Sequence, residues 1–163
     1  MDKIVSIRET VRISNQLRHH GEEIVLVGGC FDILHLGHTK FFESAKKLGD
    51  YLFVLLENDK SVKKLKGKNR PINNQTERAQ VLTALSAIDY IVLLPTMKTD
   101  KDYDRLIIQI KPAFIATTQD DPNILHKERQ AKLVRGQIKI VAKRIRNKST
   151  TKLARLISGE NIL

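Results

Sequence analysis

His35 and His38 stand three residues apart in the stretch Gly28-Gly29-Cys30-Phe31-Asp32-Ile33-Leu34-His35-Leu36-Gly37-His38. An apolar run over residues 24–27 leads in, and a helix-like pattern over residues 39–48 leads out. The order predicts a strand, a turn eased by two glycines, and a helix that begins at the histidines. A helix start offers backbone N–H groups and the positive end of its dipole, so it attracts phosphate. Imidazoles placed there donate to phosphoryl oxygens as charge builds on them. The chemistry suited to this stretch is phosphoryl or nucleotidyl transfer. A polar turn of the same composition is the competing reading, and the strand before and helix after it favour function.

These histidines need a scaffold, and the rest of the chain supplies the pattern of one. Residues 6–18 carry an imperfect helical stripe of Ile7, Val11, Ile13 and Leu17, ended by Gly21. Residues 24–27 then form a continuous β-branched and leucine run, the mark of a strand covered on both faces. Helices are expected near residues 37–48, 75–86, 103–110 and 123–134, with strands at 51–56, 90–94, 113–116 and 138–142. A last helix starts near Ser149. Strands that alternate with helices predict a doubly wound α/β domain on a five-stranded parallel sheet. In such sheets ligands bind beyond the carboxyl ends of the strands, where the strand order reverses.

With 163 residues the chain reads as one domain, residues 1–163. It has no run of membrane-spanning length and no apolar core of a signal peptide, so a cytoplasmic location is expected. The single cysteine, Cys30, forms no internal disulfide framework. No base is paired with it by sequence logic, and it reads as a small buried side chain.

The net charge of +11 is unevenly placed. Residues 127–155 hold eleven Lys or Arg against one acid, Glu128, a net +10. Lys127, Arg129 and Lys132 read as a solvated face, and the remainder points to a polyanion, either a nucleotide triphosphate or nucleic acid. A second cluster, Lys60, Lys63, Lys64, Lys66, Lys68 and Arg70, lies in residues 57–71, which suit a mobile flap closing over phosphates. A second anion site is expected where Arg144, Arg146 and Lys148 precede the hydroxyls of Ser149, Thr150 and Thr151 at a helix start. Lys46, about two turns past His38 on one helix, is placed to reach a phosphate.

Gly29-Cys30-Phe31-Asp32, His35-Leu36-Gly37-His38 and Ser149-Thr150-Thr151 together resemble the cytidylyltransferase family of nucleotidyltransferases. Gly49-Asp50, the loop over residues 58–67, Arg70-Pro71 and Arg78 extend the resemblance over almost the whole chain. Within the family it is most similar to the heptose 1-phosphate adenylyltransferase and glycerol-3-phosphate cytidylyltransferase group. Class I aminoacyl-tRNA synthetases share the His-x-Gly-His, but this chain is too short for one.

The resemblance implies that an NMP group, AMP from ATP above all, passes to a phosphorylated metabolite such as a sugar 1-phosphate, with release of pyrophosphate. It implies that His35 and His38 bind phosphates and stabilise the transition state, and that Lys46 and Arg144 hold phosphate beside them. Gly29, Cys30, Phe31, Asp32, Ser149, Thr150 and Thr151 would line the nucleotide site, and Lys46, Asp59, Lys66 and Arg78 the acceptor site. Magnesium would arrive mainly on the nucleotide phosphates with no protein metal site, and a homodimer is expected. A CTP-dependent glycerol 3-phosphate enzyme and an FAD synthetase are the rivals within the class. A nucleic-acid-binding module is the rival outside it, disfavoured because no aromatic follows Phe114 to act as a stacking platform. Two departures stand out: Gly28 replaces the family's usual Asn, and residues 117–122 replace its Gly- and Asp-bearing segment.

Overall fold

The computed structural model describes residues 2–143 and 150–157; in the second stretch the side chains described are those of residues 152–155. Its strands are β1 (Ile4–Val5), β2 (Ile24–Gly29), β3 (Tyr51–Leu56), β4 (Tyr90–Leu93), β5 (Phe114–Thr118) and β6 (Gln137–Ala142). Its helices are α1 (Ile7–His19), α2 (Leu36–Lys46), α3 (Asp59–Lys66), α4 (Gln75–Thr83), α5 (Asp100–Ile110), α6 (Ile124–Leu133) and α7 (Thr150–Ile157). All six strands run parallel in the order β1-β4-β3-β2-β5-β6. Among the described residues the sheet therefore has six strands and not five. The extra one, Ile4–Val5, pairs with Ile91 and Val92 of β4 and is too short to show any periodicity in sequence.

Apolar runs build the centre. Ile24, Val25, Leu26 and Val27 of β2 and Leu52 through Leu56 of β3 are all buried, as expected of strands sandwiched between helices. On one face Val25, Val27, Leu52, Val54 and Leu56 meet Phe41, Phe42 and Ala45 of α2 and Ala79 and Leu82 of α4. On the other, Leu26, Phe53, Leu55 and Ile115 meet Leu106, Ile107 and Ile110 of α5 and Ala131 of α6, and Ile13 and Leu17 of α1 pack on the same cluster. From β2 the chain steps outward through β3 to β4; α5 then carries it back to β5 on the far side of β2. The reversal lies between β2 and β5, and the histidines follow β2.

The expected flap is not a loop. Residues 59–66 form α3, capped by the Asn58 side chain accepting from Ser61 N at 2.8 Å. Val62 anchors this otherwise charged helix in the core.

Candidate active site

The turn after β2 is shaped by Phe31. Its φ of 43° lies in the left-handed region, a costly conformation for a bulky residue that persists only where surroundings enforce it. Packing enforces it here, because the Phe31 ring lies 4.9 Å from that of Phe42 and edge-on to His38 at 5.5 Å. The same ring explains Gly29, where a Cβ would come within 2.8 Å of it.

His35 caps α2 with extended backbone, and its Nδ1 accepts from Gly37 N at 3.1 Å. His38, three residues into the motif, returns the contact: its Nδ1 accepts from His35 N at 3.3 Å. Reciprocal capping of this kind is usually done by Ser with Glu, and here it is done by two imidazoles. It fixes their chemistry. A ring whose Nδ1 accepts a backbone N–H carries its proton on Nε2, so each histidine turns an Nε2–H donor away from its own backbone. The rings are tilted toward each other, with centroids 3.9 Å apart and planes at 32°. Burial, then the neighbouring His35, then the Lys66 charge push the His38 pKa down to about 4. His38 is therefore a neutral donor at physiological pH.

Around this pair the structure separates the expected site residues into three groups. Lys66, at the end of α3, stands close enough for its charge to act on both His38 and Cys30. Cys30 is half-buried, and burial pushes its thiol pKa up, which fits an unreactive side chain. Gly29, Cys30, Phe31, His35, His38 and Lys66 thus gather at one edge of the sheet.

Asp32, Asp59 and Arg78, expected at the nucleotide and acceptor sites, make hydrogen bonds within the protein. Asp32 is buried and accepts from Arg70 Nε at 2.6 Å, Ile72 N at 2.9 Å and Asn73 N at 3.0 Å. Burial alone would raise its pKa, but the Asn73 and Ile72 N–H groups and Arg70 hold it below the usual range. Its oxygens are spent on the loop that enters α4. Arg78, 1 % exposed, donates to the carbonyls of Asn73 at 3.0 Å, Cys30 at 2.5 Å and Glu57 at 2.7 Å, and to Asp59 Oδ1 at 2.8 Å. It ties the ends of β2 and β3 to α3, while the Asp59 side chain stays 46 % exposed.

Lys46 stands apart from the histidines. Helix α2 descends from the carboxyl edge, and eleven residues at about 1.5 Å each carry Lys46 about 16 Å from the His35 cap. There its Nζ donates to Asp89 Oδ2 at 2.7 Å and to the Asp50 carbonyl, over the Tyr51 ring. It sits at the opposite edge of the sheet. Replacing Lys46 with Ala is expected to leave kcat within about threefold and to cost about 1 kcal/mol at a half-buried ion pair. Steady-state kinetics and a urea melt check both; a hundredfold loss of kcat would put Lys46 back in the site.

Arg144 and Ser149 lie outside the described residues, as do the side chains of Thr150 and Thr151, whose backbone opens α7. The segment 117–122 is locally tied. Thr117 Oγ1 donates to Asp121, which also takes Lys127 Nζ at 2.5 Å and Asn123 N at 2.8 Å. Lys127, read as solvated, is thus in an ion pair, and Arg129 is paired through both Nη atoms to Asp104 at 2.7 and 2.9 Å.

Glu57 and Tyr103 escaped sequence reasoning. Glu57 follows the last residue of β3, and its backbone N donates to the Gly29 carbonyl at 3.1 Å. Tyr103 of α5 donates to Glu57 Oε1 at 2.8 Å. The only signal in sequence was position, one carboxylate directly after a continuous apolar strand.

A doubly wound parallel sheet with a histidine-capped helix beside the reversal of strand order defines an α/β domain of the nucleotidyltransferase type. The chain belongs to the cytidylyltransferase-like family, whose model matches residues 26–162. It is 45% identical over 117 residues to the bifunctional protein HldE of Nitratiruptor sp., covering 72% of this chain and 24% of that protein. Against the HldE of Aliarcobacter butzleri the identity is 43% over 117 residues, with the same coverage. The chain thus spans about a quarter of the length of these relatives. Among solved structures it is similar to the lipopolysaccharide core biosynthesis protein of Thermoplasma volcanium, with a TM-score of 0.61 and 27% identity over 79% of this chain and 100% of that one. The pantoate-beta-alanine ligase of Francisella tularensis, at 15% identity and a TM-score of 0.62, covers 99% of this chain and 79% of its own, and shares the fold. No helix among the described residues is long and apolar enough to cross a membrane.

Proposed function

We propose that the chain transfers AMP from ATP to the phosphate of a sugar 1-phosphate, heptose 1-phosphate being the first candidate, and releases pyrophosphate. The observation that carries this reading is the reciprocal histidine cap, which presents two Nε2–H donors at the start of α2. The likeness to HldE proteins and to a lipopolysaccharide core biosynthesis protein supports the choice of acceptor.

An acceptor phosphate oxygen attacks the α-phosphorus and forms a new P–O bond. The bond from that phosphorus to the bridging oxygen of the β-phosphate breaks, and pyrophosphate leaves with the electron pair. His35 and His38 donate to the phosphoryl oxygens as their charge redistributes, and Lys66 adds a positive charge beside them. Because His38 is neutral at physiological pH, its donor is ready before the reaction and needs no reorganisation. No covalent intermediate is needed, so positioning and charge stabilisation supply the rate.

Among the described residues no group of three or more His, Cys, Asp or Glu is arranged to hold a metal. The histidine nitrogens that face the site are N–H donors, not ligands. The donor set therefore suits magnesium brought in on the triphosphate, where it neutralises phosphate charge.

The test is pyrophosphate release by the purified chain with magnesium and each pairing of ATP or CTP with heptose 1-phosphate or glycerol 3-phosphate. ATP with heptose 1-phosphate is expected to give the highest kcat/KM. Highest turnover with CTP and glycerol 3-phosphate would reassign both substrates.

A further inference from the structure

Phe31 belongs to the active-site turn, yet its side chain belongs to the core. The residue is buried and shares a cluster with Phe41 and Phe42 of α2. Its φ of 43° costs free energy that an ordinary turn would avoid. Two sets of contacts hold it there. On the side-chain end, the ring packs against that of Phe42 with centroids 4.9 Å apart. On the backbone end, the next residue is pinned to the loop that enters α4. The Asp32 carboxylate accepts from Arg70 Nε and from the N–H groups of Ile72 and Asn73, and the Asp32 carbonyl accepts from Asn73 Nδ2 at 3.3 Å. The outcome is a ring anchored in the core that reaches up to His38.

His38 needs such support. The hydrogen bond that its Nδ1 accepts from His35 N is long, at 3.3 Å, and a bond of that length holds a ring only weakly. The His35 ring flanks His38 at 3.9 Å, and the Phe31 ring meets it at 79°, close to the right angle that aromatic pairs favour. His35 and the Lys66 ammonium are the titratable and charged groups that act on His38. Phe31 adds an apolar contact, and burial is the largest cause of the low His38 pKa of about 4. Direction matters as much as protonation. A donor misplaced by about 1 Å can cost on the order of 10² in rate.

We propose that Phe31 is a positioning residue for nucleotidyl transfer: its left-handed turn lodges the ring against His38, and the ring fixes the direction of the His38 Nε2–H. The Phe31 ring acts through His38 and not on the reacting atoms. This role accounts for a bulky side chain at a position where glycine would be free of strain. The assignment rests on the transfer reading above, in which His38 donates to the phosphoryl oxygens.

Phe31→Gly tests this most sharply, because glycine adopts a positive φ freely and so keeps the turn while removing the ring. Pyrophosphate release with magnesium ATP and heptose 1-phosphate is measured beside the His38 titration, followed by NMR of 15N-histidine-labelled protein. Thermal melting checks that each variant is folded. Phe31→Gly is expected to lower kcat about tenfold or more, with both KM values within about threefold of the unaltered chain. Its His38 is expected to titrate about one pH unit or more higher, because water enters where the ring was. If Phe31→Gly does not fold, Phe31→Leu decides, since it keeps apolar volume without the flat ring. The expected kcat loss is then about threefold or more, with His38 again titrating higher. In a folded variant, kcat within about twofold of the unaltered chain, or an unmoved His38 titration, overturns the assignment while leaving the proposed reaction intact. A turn that mattered only through its backbone would give that result for Phe31→Gly. Absence of pyrophosphate release by the unaltered chain overturns the transfer reading, and with it the role of Phe31 in transfer. The titration still tests the ring as the support of His38: a rise upholds it and an unmoved value overturns it.

Discussion

Replacing His38 with Ala is expected to lower kcat/KM for nucleotidyl transfer by about 10²–10³, the range found when one preorganised donor to a developing oxyanion is removed. His35→Ala should cost a similar factor, and it also removes the cap of α2. The double variant is expected to fall short of the product of the two, because the rings hold one another and act as a unit. His38 Nδ1 secures the His35 backbone, so losing either ring displaces the other. The account also distinguishes between amide replacements. Gln places its amide N–H near the position of imidazole Nε2, whereas Asn places its own near Nδ1. His38→Gln should therefore retain at least about tenfold more activity than His38→Asn. Equal activities, or full activity of the double alanine variant, would show that the Nε2–H groups are not what the reaction uses.

The second large effect concerns a residue that never meets substrate. Arg78→Ala removes a fully buried guanidinium and four hydrogen bonds, three of them to main-chain carbonyls. Buried carbonyls left without donors cost about 1–3 kcal/mol each, and truncating one partner of a buried network costs about 3–5 kcal/mol in all. For a chain of this size the melting temperature is expected to drop by about 10 °C. Activity should fall with it, because Arg78 fixes the Cys30 and Glu57 carbonyls at the ends of the two strands that border the site. Arg78→Lys keeps the charge but cannot reach all four partners, and should recover less than half of the lost stability. Urea unfolding of the three proteins measures this directly. A loss below about 1 kcal/mol for Arg78→Ala would mean that water replaces the guanidinium and that Arg78 is available for a ligand after all.

The contrast between His38 and Arg78 shows what was legible in the sequence. The histidine pair and its glycines are a local device: three residues of spacing at a strand-to-helix junction determine the geometry, and the structure places them as expected. The strand at residues 51–56 was equally plain, because six consecutive apolar or aromatic residues can be covered only from both faces. Charged residues were harder. Asp32, Asp59 and Arg78 were read as ligand groups, yet they meet each other's loops across 19 to 48 residues of sequence, and no spacing rule reports contacts of that range. The position of Lys46 was hidden for a different reason. Being on the same helix as His38 says nothing about which edge of the sheet the helix end reaches, and α2 runs from one edge to the other. Helix α3 was taken for a flap because Lys60, Lys63, Lys64 and Lys66 hide the one buried residue, Val62, that seats it. Glu57 looked like the first residue of a solvated loop until Tyr103, 46 residues away, was seen to hold it.

The central claim is that two neutral imidazoles, each with its proton on Nε2, form the phosphate-binding end of α2. The most direct measurement is the ring-nitrogen NMR spectrum of the chain carrying 15N-labelled histidine, recorded from pH 4 to 8 with and without a non-hydrolysable magnesium ATP analogue. The account predicts an unprotonated Nδ1 and a protonated Nε2 for both residues at pH 7, with His38 becoming charged only near pH 4. It also predicts that saturating nucleotide shifts both Nε2–H resonances. An imidazolium at pH 7, a proton on Nδ1, or Nε2–H resonances that ignore bound nucleotide would contradict it.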